Sequence, residues 1–134
     1  MHKKILVGDY IEHGRAVLET LQRNNFTVTE AFWYELPDLD EWRLIIASPM
    51  VHLVGPTKAY TVLDRVLRQI QSPLSLGDIS LLSPLSSEYQ ALRQAALGPG
   101  RLGMGPATGH AHDITFHDAY LYNLPAPVQT TASD

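Results

Sequence analysis

Trp42-Arg43-Leu44-Ile45-Ile46-Ala47-Ser48-Pro49 is the stretch that decides how this chain folds. Leu44 to Ala47 is apolar without interruption, whereas a strand with only one face on a core alternates with a period of two. A strand of this kind is covered on both faces, which puts it inside a sheet with helices above and below. Ser48-Pro49 then stops it, because proline has no N–H to give to a ladder.

Working outward, Phe26 to Tyr34 is β-branched and aromatic and reads as the preceding strand. A period of two sets Phe26, Val28, Phe32 and Tyr34 on one face and Trp33 on the other. Before it, Ile11, Val17, Leu18 and Leu21 mark one face of a helix, with Asp9 as N-cap, Glu12 at the third helical position, and an end near Asn24-Asn25. Ile5-Leu6-Val7 is a short first strand. Downstream, Gly55-Pro56 opens the clearest helix, with Ala59, Val62, Leu63, Val66, Leu67 and Ile70 at spacings of three and four. Ile79 to Leu82 is a further strand, Ser86 to Leu97 a third helix packing through Tyr89, Leu92 and Ala96, and the segment from Arg101 to Leu124 a closing β-hairpin.

The order β-α-β-β-α-β-α-β-β predicts an α/β fold, bordering on α+β: a mixed sheet of about five to six strands covered by three helices. Residues 1–125 are expected to form one domain and 126–134 a polar, disordered tail. Helical crossovers join parallel strands and a seven-residue connection suits an antiparallel pair, so the first two strands should oppose the next two. That places Asp9, Tyr10, His13 and the acidic loop with Asp38, Asp40 and Glu41 on one edge. Ser48, Met50, His52, Ser83 and the His-rich turn are expected on the other.

The chain has 134 residues, 45% of them hydrophobic and 18% charged, a formal charge of −4 and no cysteine. This composition suits a packed core rather than a disordered chain. The net negative charge offers no footprint for nucleic acid. Absence of cysteine excludes disulfides, thiolate zinc sites and cysteine nucleophiles. No window reaches the roughly 18 apolar residues of a bilayer span, so a soluble, cytoplasmic protein without a membrane partner is expected.

Three chemistries are open to the polar residues. Asp9, Asp38, Asp40 and Glu41 can hold Mg²⁺ or Mn²⁺ through oxygen, with His13 as base, which would suit hydrolysis of a phosphorylated substrate. His110, His112, His117 and Asp118, with Asp113 among them, are zinc-ligand types, although the spacing departs from the His-x-His-x-Asp-His of metallo-β-lactamase-like hydrolases. Arg101, in a glycine-rich loop that follows a helix instead of opening one, can pair with an anion, and Ser48 and His52 are candidate ligand-binding residues. No Gly-x-Ser-x-Gly elbow occurs, and Ser48-Pro49 and Ser83-Pro84 read as chain turns. Trp33, Tyr120 and Tyr122 supply rigid contact area of the kind enriched at interfaces. The leading expectation is a binding or assembly module forming a homodimer, with the metal-dependent hydrolase and the zinc-binding hairpin as alternatives.

Overall fold

The computed structural model describes residues 8–36, 41–98, 106–107, 110–116 and 118–124, with the backbone alone at 106, 107, 110–112 and 115. Its elements are α1 (Gly8–Arg23), β1 (Glu30–Leu36), β2 (Glu41–Ala47), α2 (Met50–Leu53), α3 (Pro56–Gln69), β3 (Ile79–Leu82), α4 (Ser87–Leu97), β4 (Pro106–Ala107), β5 (His110–Thr115) and β6 (Ala119–Leu121). They form the expected α/β architecture, a mixed six-stranded sheet in the order β3-β2-β1-β6-β5-β4. β1 and β2 are antiparallel, β2 and β3 parallel, and β6 antiparallel to β1. The strand expected at Ile5-Leu6-Val7 and the tail 126–134 lie outside the described residues. No helix among the described residues is long and apolar enough to cross a membrane.

β2 is interior to the sheet, and Leu44, Ile45, Ile46 and Ala47 are all at most 1% exposed. Alternate side chains of this run enter two separate cores. On one face Leu44 and Ile46 join Trp33, Ile79, Leu81, Tyr120 and Tyr122 beneath α1 and α3, which contribute Leu18, Leu21, Leu63 and Val66. On the other, Ile45 and Ala47 join Phe32, Tyr34, Phe116 and Ala119 beneath α4, through Tyr89 and Ala96. An uninterrupted apolar run is what such a doubly covered strand requires.

Two helices end in the same way. After α1, Asn25 takes φ 64°, the Phe26 amide donates to Leu21 O at 2.9 Å and the Asn25 amide to Gln22 O at 3.1 Å. After α3, Gln71 takes φ 51°, the Ser72 amide donates to Leu67 O at 2.9 Å and the Gln71 amide to Arg68 O at 3.2 Å. Both are Schellman caps, which satisfy carbonyls that the helix end would otherwise orphan.

The first cap corrects an expectation. Phe26 and Val28 belong to the core under α1 and α3 and not with Phe32 and Tyr34. The chain around Phe26 still follows the helix cap, and β1 with its period of two begins only at Glu30. Asp9 lies within the first turn of α1 and does not precede it as N-cap. α2 is an additional single turn that carries His52.

The outer edge of β3 is occupied by the protein itself. The Ile79 amide donates to Leu76 O and the Leu81 amide to the Tyr60 hydroxyl at 2.9 Å. Leu82 O meanwhile faces β2 and accepts from the Ser48 amide.

Candidate functional site

The carboxyl ends of the parallel pair β2 and β3 lie side by side, the position where open α/β sheets form their binding crevices. Ser48 ends β2: its amide donates to Leu82 O at 3.0 Å, and its Oγ accepts the Met50 amide at 3.1 Å. With Pro49 between, the chain turns at once into α2. Ser83 ends β3 likewise, its Oγ accepting the Leu85 amide at 3.1 Å and its carbonyl accepting from the Ser86 amide and hydroxyl. Ser86 caps α4 by accepting the Tyr89 amide at 3.1 Å.

These two turns bring His52 and Ser83 together, with Nδ1 and Oγ 2.6 Å apart. Serine hydroxyl and imidazole each donate or accept according to the tautomer. The pair stands among exposed apolar neighbours in the chain, with Leu53 69%, Val54 40% and Leu85 78% exposed. Ser48, by contrast, is fully buried and committed to the turn.

A second polar cluster is sealed inside the fold. Asp113 on β5 is 1% exposed and accepts from the Tyr120 hydroxyl at 2.6 Å, the Asn123 amide at 2.7 Å and Arg15 of α1. Burial pushes its carboxyl up, but the hydrogen bonds from Tyr120, Asn123 and Arg15 and the Arg15 charge outweigh it and hold the group below the usual carboxylate value. Arg15 also lies over the Tyr122 ring, 5.0 Å from its centroid. The Tyr122 hydroxyl accepts from Trp33 Nε1 at 2.8 Å and donates to Ile11 O at 2.7 Å. Burial, foremost, and then the Asp113 carboxylate raise the Tyr120 hydroxyl, which stays protonated and donating. This network fastens the C-terminal hairpin to α1. A comparable fastening joins the start of β1 to α4, where Glu30 accepts from Tyr89 and from Arg93 Nε at 2.8 Å.

The residues of the expected acidic edge are only partly brought together. Asp9 and His13 are on α1, where His13 meets the edge of Tyr10 with ring centroids 6.1 Å apart. Glu41 opens β2 and is paired with Arg43 at 3.2 Å. Asp38, Asp40, Arg101 and His117 lie outside the described residues. His110 and His112 are on the β5 backbone, and Asp118 is half-buried in the turn before β6. Among the described residues no group of three or more His, Asp or Glu side chains is placed to hold a metal ion.

The His-rich segment is not confined to one edge: His110 opens β5 at the end of the sheet expected for it, and Asp118, just before β6, lies at the other. Because β6 runs antiparallel to β1, Asp118 stands beside the C-terminal end of β1, where its carbonyl accepts from the Glu35 amide at 2.9 Å. Trp33, Tyr120 and Tyr122 are at most 3% exposed and fill the protein's own core instead of its surface. Arg15, Glu30 and Ser83 gave no local signal of their partners, which lie 98, 59 and 63, and 31 positions away in the sequence. Comparison of the chain with protein-family models, with curated proteins and with solved structures returned no match.

Proposed function

We propose that the protein acts through binding, with the edge at the carboxyl ends of β2 and β3 as its contact surface. The observation that carries this reading is the exposure of Leu53, Val54 and Leu85 on the two segments that the His52–Ser83 contact ties together. A single exposed apolar residue is ordinary. Three on adjoining turns, beside a hydrogen-bonding pair and at the end of a parallel strand pair, suit an amphiphilic ligand. Its polar head would meet His52 and Ser83, and its apolar part would lie on the leucines and Val54.

The test is a two-dimensional amide NMR titration with octanoate. Shifts confined to His52, Leu53, Val54, Ser83 and Leu85 are expected, and shifts elsewhere or none would refute the assignment. The homodimer of the sequence reading keeps a place here in a changed form. Its aromatic surface is buried, so a second copy would have to dock on these apolar residues, and the same resonances would then move with protein concentration alone.

A further inference from the structure

We infer that Ser83 is a nucleophile toward acyl esters, with His52 as its general base. The inference rests on the β2–β3 edge being a ligand site and adds a reaction to it. The 2.6 Å separation of His52 Nδ1 and Ser83 Oγ is within proton-transfer reach. The Leu85 amide donates to the same Oγ at 3.1 Å. That bond holds the oxygen in place, and the reaction uses the tautomer in which Nδ1 is the acceptor and the Ser83 hydroxyl the donor. Ser83 stands just past the carboxyl end of β3, beside the end of β2, where open α/β sheets form their binding crevices. Leu53, Val54 and Leu85 offer apolar contact to an acyl chain.

In the first step Oγ bonds to the ester carbonyl carbon, its proton passes to His52 Nδ1, and the carbon–oxygen bond to the alcohol breaks as His52 returns the proton to that oxygen. Water, deprotonated by the same nitrogen, then bonds to the acyl carbon; the carbon–Oγ bond breaks as His52 passes that proton to Oγ, releasing a carboxylic acid and restoring both Ser83 and His52. Among the described residues no carboxylate is paired with His52, so the arrangement is a pair and not a triad.

The full chain treated with an octyl fluorophosphonate tests this, because Oγ displaces fluoride and leaves a stable phosphonyl ester. Peptide mapping should place one adduct on Ser83, and p-nitrophenyl butyrate should be hydrolysed. His52→Gln, which keeps a hydrogen-bonding side chain, should slow labelling by roughly 10²- to 10⁴-fold with an unchanged melting temperature. No adduct on Ser83 while octanoate still shifts the edge resonances would overturn the nucleophile and leave the binding reading standing. Failure of both labelling and octanoate binding would overturn both. Adducts on Ser86 or Ser87 at the rate of Ser83, or labelling indifferent to His52→Gln, would also overturn it.

Discussion

Gly14→Ala should destabilise this protein although it improves a helix. Gly14 lies inside α1, where alanine is worth about 1 kcal/mol more than glycine. At this position, however, a Cβ would fall inside the van der Waals envelope of the Tyr122 hydroxyl, with Trp33 Nε1 at 3.2 Å and Tyr122 Cζ at 3.3 Å. The hydroxyl cannot retreat freely, because it accepts from Trp33 and donates to Ile11 O. Overpacking costs about 1–3 kcal/mol, and leaving the buried Trp33 donor unpaired costs about 1–3 kcal/mol more. Set against the helix gain, the net loss is about 1–5 kcal/mol. Urea unfolding of Gly14→Ala, Tyr122→Phe and the double variant measures it. Once Tyr122→Phe has removed the hydroxyl, Gly14→Ala should be neutral or stabilising, giving a coupling of about 1–6 kcal/mol. A Gly14→Ala protein more stable than wild type, or equally destabilised in both backgrounds, would refute the close approach of α1 to the residues after β6.

Two further outcomes follow from the polar core and the helix caps. Asp113 has a folded-state value below its ordinary 3.8, so its contribution is fully present above pH 3.8 and is lost as pH falls through the depressed value; urea midpoints between pH 2 and 6 should show this loss, and Asp113→Asn should be destabilised at neutral pH with a shallower acid slope. Gln71→Gly should stabilise by about 0.5–1 kcal/mol, because a left-handed residue with a Cβ costs about 1–2 kcal/mol and the added freedom of the unfolded chain returns only part of that. A lower urea midpoint for Gln71→Gly would show that the Gln71 side chain makes a contribution larger than its backbone strain.

Much of the architecture was legible because its causes are local. The apolar run of β2, the three- and four-residue spacing of α3 and the short strand at Ile79–Leu82 each follow from a period the neighbouring residues impose. The parallel and antiparallel pairings followed from the lengths of the connections. Phe26 and Val28 were misplaced because a helix cap, and not a strand, sets the direction of Phe26. α2 escaped because one turn is too short to show a period. The candidate site was half legible: topology put His52 and Ser83 on one edge, but nothing in either local sequence announces a contact across 31 positions. Arg15 likewise reads as an ordinary helix charge near Glu12, and only the fold turns it toward Asp113.

The edge of β3 bears on how copies of this protein can coexist at high concentration. Strand-by-strand growth requires each new edge to offer donors as well as acceptors. Here the two amides that point away from β2, those of Ile79 and Leu81, are taken by Leu76 O and by the Tyr60 hydroxyl. Two such edges brought face to face would present oxygen to oxygen. Tyr60, a helical side chain, thus acts as a stopper against templated fibre growth from β3, and any pairing of copies at that end has to be made by side chains.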